Sequence, residues 1–257
     1  MDHTQRFSSR VSHYVRYRPS YPSEFMDVLR QECQLTPQSV IADVGSGTGL
    51  LTQFFAENGN PTFAVEPNPA MREAGKAQLS AFSNVTHING RGEATTLTAC
   101  SVDFITAAQA FHWMDRAAAK EEFLRILKPG GFVVLLWNFR ELESTPFLVD
   151  LEALICHFGT DYSQVRYENY MGHIQPFYAP NPFTLRRLKY QQTVDFEGLC
   201  GRLLSASYMP EEGHEKHPAM MQAMRIIFDR HQQDGHVVLE YDTRIYFGRL
   251  APQGPAK

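Results

Sequence analysis

The sequence has no surplus of basic charge. Its 24 Lys and Arg are outnumbered by 28 Asp and Glu, for a net charge of −4, whereas a dedicated nucleic-acid binder carries a basic face. No apolar run approaches the roughly 18 residues that span a bilayer. The first 22 residues carry charges but no apolar stretch of the kind a secretory signal needs. The expectation is a cytoplasmic protein with neither a nucleic-acid nor a membrane partner. Cysteine is sparse: Cys33, Cys100, Cys156 and Cys200 lie far apart, with no C-x-x-C spacing and no Cys/His cluster. That predicts reduced thiols and no metal site. Internal repeats and low-complexity tracts are also missing. What is present is a 43% hydrophobic, 20% charged composition over 257 residues, which excludes a mostly disordered chain and suffices for a sizeable core.

From about residue 40 to 140 strand and helix patterns alternate. Val40–Val44 is a short apolar run ending in glycines, and Leu50–Asn58 reads as a helix. Thr62–Glu66 is β-rich, and Asn68-Pro69 reads as the cap and first turn of a helix to about Ser80. Val85–Asn89 and Asp103–Ala107 read as strands, Asp115 caps a helix to Leu127, and Phe132–Trp137 is apolar throughout, as a doubly buried strand is. This order implies βαβ units, a doubly wound, mostly parallel α/β sheet, and ligand-binding loops at the strands' carboxyl ends. Beyond it, Thr145-Pro146 opens a helix to about Phe158 and 159–182 is irregular. Phe183–Val194 and Val237–Leu250 read as two late strands, with helices over Glu197–Ser207 and Glu215–Gln232. These strands complete the sheet in this reading, and residues 141–182 form a helical lid inserted over the ligand edge.

The sharpest motif is Asp43-Val44-Gly45-Ser46-Gly47-Thr48-Gly49, where the first strand meets the first helix. Glycines at alternate positions allow a tight turn and close backbone approach to a ligand. Leu50 stands where a dinucleotide fingerprint has its third glycine, and the Gly-Lys-Ser/Thr of a P-loop is absent. Glu66 ends the second strand. It is either a surface acid before Pro67 or, with the glycine loop beside it, the carboxylate that accepts hydrogen bonds from a ribose diol. Asp43, inside an apolar run, is costly unless it is paired.

With Val65-Glu66-Pro67-Asn68, Gly92-Glu93-Ala94, Ala108-Gln109-Ala110-Phe111-His112-Trp113 and Arg125-Ile126-Leu127-Lys128-Pro129-Gly130-Gly131, the sequence resembles class I S-adenosylmethionine-dependent methyltransferases. The likeness is to the type 11-like small-molecule group that includes trans-aconitate methyltransferase. It extends to Tyr17-Arg18-Pro19-Ser20-Tyr21-Pro22 and is weakest over 141–182. The resemblance implies a Rossmann-like fold in a single domain over 1–257. Its parts would be an N-terminal cap (1–30), a cofactor-binding core (31–140), the lid (141–182) and completing strands and helices (183–257). It further implies S-adenosylmethionine as cofactor. Gly45, Ser46, Gly47, Thr48 and Gly49 would hold its methionine portion, with Asp43 and Gln109 beside it. Glu66 and Pro67 would lie at the ribose, Gly92 and Glu93 at the adenine.

For the methyl acceptor, a small molecule reacting at a carboxylate or hydroxyl oxygen, the candidates are less sharp. His112 is either a base or a packed histidine beside Asp115, and Trp113 is a pocket wall. Tyr14, Arg18 and Tyr21 lie in a Tyr/Arg-rich start expected to fold over the pocket, where an arginine pairs with a substrate carboxylate. The aromatics Tyr162, Tyr167, Tyr170, Phe177 and Tyr178 of the insert are expected to complete the wall. Two rival readings of the residues stay open: an NAD-dependent oxidoreductase, discouraged by Leu50, and a protein that binds the cofactor without turnover.

Overall fold

The structure, a computed structural model, describes residues 11–165 and 172–251. In chain order the first elements are α1 (Val11–Tyr17), α2 (Glu24–Cys33), β1 (Ile41–Val44), α3 (Thr52–Glu57), β2 (Thr62–Val65), α4 (Pro69–Gln78), β3 (Val85–Ile88) and β4 (Val102–Ala108). A 3-10 turn (Phe111–Trp113) precedes α5 (Arg116–Ile126), β5 (Leu127–Arg140), α6 (Pro146–Phe158) and α7 (Tyr162–Val165). The last are α8 (Ile174–Tyr178), β6 (Phe183–Val194), α9 (Phe196–Leu204), α10 (His217–His231) and β7 (Val237–Gly248).

The strands form one seven-stranded sheet in the order β3-β2-β1-β4-β5-β7-β6. The first five run parallel, and β7 enters antiparallel between β5 and β6. Short strands at the centre are buried residue by residue, as Ile41–Val44 shows, because helices cover both faces. One face carries α5 and α8 over Ala42, Ile105 and Val133; the other carries α2 and α3 over Ile41, Phe104 and Val134. The capping signals act where the sequence places them. The side chains of Asn68, Asp115 and Thr145 accept backbone N–H bonds at the start of α4, α5 and α6, and Asp195, which the sequence reading did not single out, does the same for α9.

Three expectations change. The helix after the glycine loop is shorter than Leu50–Asn58, because Leu50 and Leu51 belong to the turn that leaves the loop. The fifth strand starts at Leu127 rather than Phe132: Leu127 pairs with Val102, and the Lys128–Gly131 segment is accommodated by a register shift before Phe104 meets Phe132. The third concerns the insert. Tyr178 is fully buried beneath the sheet, its hydroxyl donating to the carbonyls of Val133 and Tyr246. Phe177 packs on Phe111 and Phe123 at ring distances of 4.6 and 6.1 Å. These two aromatics are core, because α8 docks on α5 instead of hanging over the ligand edge. Tyr162 packs on Tyr208 and donates to Glu152. Tyr167 and Tyr170 lie outside the described residues.

The remainder of the insert, α6, joins α9, α10 and the far ends of β6 and β7 in a second core built on Leu148, Leu151, Met220 and Met224. β6 and β7 run on together past Arg140, where β5 ends. This helical group therefore sits beside the carboxyl edge of the parallel strands. α1 rests on α9 and also reaches α4. Since α4 follows the carboxyl end of β2 and α9 that of β6, α1 crosses this edge.

Candidate active site

The glycine loop is clamped from below. The backbone N–H groups of Gly45 and Ser46 both donate to the Val65 carbonyl at 2.8 and 3.1 Å, tying the end of β1 to the end of β2. Gly45 has φ +73°, and a Cβ there would sit 2.5 Å from the Cβ of Ala110, so both backbone conformation and space require glycine. Gly47, at φ +57°, has nothing within 4 Å of where a Cβ would stand. Its glycine serves the backbone bend and leaves an open face toward the edge. Thr48 is buried, and its Oγ1 has no hydrogen-bond partner among the described residues.

Glu66 joins this loop to the next. Its Oε2 accepts the Gly47 N–H at 2.9 Å and its Oε1 the Asn68 N–H at 2.8 Å. Burial pushes the carboxyl above its ordinary pKa, while these two N–H donors and the Arg72 cation pull it back. Arg72 also donates to the carbonyls of Glu66 and Pro67. Each carboxylate oxygen has a second lone pair, so the group still has acceptor capacity.

Asp43 is 1% exposed, and its oxygens accept the hydroxyls of Thr52 (2.6 Å) and Thr106 (2.9 Å). It braces the loop from β1 against α3 and β4. Burial raises its pKa to about 6, against the lowering effect of the two hydroxyls. The folded chain thus holds this proton more tightly than the unfolded chain does. The resulting stabilisation is complete below the unfolded pKa near 4 and is lost as pH rises through about 6, roughly 2–3 kcal/mol across that window. Asp43→Asn is expected to remove this slope; thermal unfolding of both proteins from pH 4 to 8 checks it, and parallel curves would contradict it.

Gly92 is buried under Met114, whose Sδ would lie 2.5 Å from an added Cβ. Glu93 accepts the Asp115 N–H at 2.7 Å and anchors the start of α5. Gln109 takes φ +55° at the end of β4; its Nε2 donates to the Asn138 carbonyl, and its Oε1 is buried with no partner among the described residues. Asn138, the partner of Gln109, was not singled out by the sequence reading. Its amide donates to the Ser20 carbonyl and accepts from Thr243, joining the N-terminal segment to β5 and β7. The available signal was a lone amide directly after the apolar run Phe132–Trp137.

His112 lies on the 3-10 turn, 4.6 Å from the Trp113 ring. Burial, and secondly the charge of Arg18, push its pKa down to about 3. Weak affinity for a proton in the ring favours the packed histidine over the base of the two alternatives. Arg18 also donates to the Ser205 carbonyl at 3.1 Å. Tyr21 is packed edge-on against Phe25 in the core below the sheet and is 7% exposed. The side chain of Tyr14 lies outside the described residues.

The methyltransferase domain family matches residues 42–135. An uncharacterized methyltransferase of Mycobacterium tuberculosis is 39% identical over 210 residues, 80% of this chain and 79% of that protein. The chain belongs to the class I S-adenosylmethionine-dependent methyltransferases. Its fold agrees with solved methyltransferase structures. One from Anaeromyxobacter dehalogenans, provisionally described as a type II methyltransferase, superposes with a TM-score of 0.67 at 21% identity, covering 92% of this chain and 100% of that one. A methyltransferase of Thiobacillus denitrificans, solved with S-adenosyl-L-homocysteine, gives 0.54 at 17% identity, covering 97% and 100%. In this methyltransferase the glycine loop, Glu66, Gly92 and Gln109 all stand at the carboxyl ends of successive parallel strands. The family's edge is thus built here from residues that the sequence spreads over Gly45 to Gln109.

Proposed function

We propose that this methyltransferase transfers the methyl group of S-adenosylmethionine to an oxygen, of a carboxylate or a hydroxyl, on a small molecule. The observation that carries the reading is the open glycine loop bonded through Gly47 to the buried Glu66 carboxylate. The residues fit the cofactor: Thr48 Oγ1 and Gln109 Oε1 are buried polar atoms with no hydrogen-bond partner among the described residues, suited to the methionine amino and carboxyl groups. Gly45, Ser46, Gly47, Thr48 and Gly49 would hold that portion by backbone approach, with Asp43 bracing them. Glu66 and Pro67 would lie at the ribose, and the turn at Gly92 and Glu93 at the adenine.

When bound, S-adenosylmethionine supplies a methyl group on a sulfonium sulfur, and the acceptor oxygen forms its bond to the methyl carbon as the carbon–sulfur pair leaves with sulfur. The chain's own contribution is alignment of the acceptor and exclusion of water. A small acceptor is supported by the cover that α1 forms from α9 to α4, with Arg18 beside His112 and Trp113 at its end. Residues 1–257 act as one domain in this reading, and the expected setting is the cytoplasm, without nucleic acid or membrane. No helix among the described residues is long and apolar enough to cross a membrane.

Incubation with methyl-labelled S-adenosylmethionine and a library of carboxylic acids, alcohols and phenols tests this. Label is expected in an ester or ether product. A chain that binds the cofactor but labels no member would favour the reading without turnover.

A further inference from the structure

Met114 follows the 3-10 turn and lies between two of the loops at the ligand edge. A Cβ added to Gly92 would fall 2.5 Å from its Sδ, 2.9 Å from its Cγ and 3.2 Å from its Cε. The same Cε stands 3.8 Å from where a Cβ on Gly45 would be. The thioether therefore spans from the turn after β3 to the turn after β1. Met114 packs against the core under α5 yet is only half-buried, so its side chain is not sealed away from the edge it spans.

The backbone around Gly92 is held by other groups. Arg91 and Ala94 exchange two backbone hydrogen bonds of 3.1 Å, which close the turn through Gly92 and Glu93. Glu93 accepts the Asp115 N–H, Glu122 accepts both the N–H and the hydroxyl of Thr95, and Arg125 donates to the Leu97 carbonyl. A turn fixed at this many points does not collapse when its neighbour is trimmed. Loss of the thioether then leaves a cavity. Resting on the cofactor placement above, in which the adenine lies at Gly92 and Glu93, we infer that Met114 is a specificity-determining residue whose thioether sets the space the base can occupy between the two turns. A polarizable thioether packs well on an aromatic ring, and it excludes a larger base by overlap rather than by any polar contact.

Calorimetry with the full chain tests this by comparing S-adenosylhomocysteine with analogues methylated at carbon 2, at the exocyclic amine or at carbon 8 of the adenine. In wild type at least one analogue is expected to bind about 30-fold or more weakly than S-adenosylhomocysteine, and Met114→Ala is expected to bring that analogue to within about threefold of it. A side chain with only a structural role would weaken all the ligands alike in the variant, and that result overturns the inference. A wild type that accepts every analogue unchanged overturns it too. Gly92→Ala drives a Cβ toward the sulfur, so it is expected to weaken S-adenosylhomocysteine binding about tenfold in wild type and less than about threefold in Met114→Ala. Equal losses in the two backgrounds would remove the contact as the cause and overturn the inference. Thermal unfolding shows whether the variants are folded, and Met114→Val carries the same comparison if Met114→Ala is not. The wild-type titration separates the two levels: no binding of S-adenosylhomocysteine would bring down the cofactor reading itself, whereas binding with no gain for any analogue in the variant removes only the role of Met114.

Discussion

Glu66→Ala is expected to weaken S-adenosylhomocysteine binding by about 1–3 kcal/mol, roughly a 5- to 150-fold rise in Kd. In the proposed reading the ribose hydroxyls would lose the carboxylate that accepts from them. In addition, the Gly47 and Asn68 N–H groups lose the acceptor they now share. The first holds the bend of the glycine loop and the second the entry to α4, so the variant loosens the site on two sides before any ligand arrives. Glu66→Gln keeps one acceptor oxygen but turns an amide NH2 toward an N–H, and an intermediate loss is expected. Calorimetry on both variants checks this, with thermal unfolding to show that they remain folded. Unchanged affinity in Glu66→Ala would take the residue out of the site. Tighter binding of NAD than of S-adenosylhomocysteine would restore the oxidoreductase alternative.

Removal of residues 1–17 is expected to leave S-adenosylhomocysteine binding within about tenfold of the full chain and to lower methyl transfer about 100-fold or more, since a pocket left open stays wet and the acceptor is no longer aligned. The deletion takes away all of α1. Its polar anchorage among the described residues includes the α9 side: the Tyr17 hydroxyl donates to Glu197 at 2.7 Å, Arg16 pairs with the same carboxylate, and Gln192 donates to the Tyr17 carbonyl. The Tyr17 ring lies directly on Gly201, where an added Cβ would fall 2.0 Å from Cδ2. Gly201→Leu is therefore a way to displace α1 with the full chain present, and it is expected to lower transfer in the same direction. Stopped-flow or steady-state transfer assays, together with calorimetry, separate the two effects. A truncated enzyme with full turnover would make α1 a structural cap and withdraw Tyr14 from the acceptor site.

The parts of this methyltransferase that could be read without coordinates are those set by local physics. Strand and helix order came from hydrophobic periodicity and cap residues, and Asn68, Asp115 and Thr145 act as caps where the sequence places them. The glycine loop was legible because its conformation needs positive φ at Gly45, Gly47 and Gly49, a requirement visible in residue type alone. Glu66 was legible from its register at the end of β2.

What the sequence could not decide was the environment of each side chain, because that depends on partners distant along the chain. Nothing in the sequence pairs Asp43 with Thr106, 63 positions away, or with Thr52, whose hydroxyls donate to its oxygens. Tyr21 and Phe177 carried the pattern of pocket aromatics, yet α2 and α5 bury them in the core. His112 looked like a base because an isolated imidazole titrates near neutral pH. Only the fold brings Trp137 to its Nδ1 and Arg18 to its side, and burial does the rest. Residue type and spacing thus determined the family, the sheet and the loop that faces the cofactor. Long-range packing, which sets burial and hydrogen-bond partners, decided the environment of each side chain at that edge.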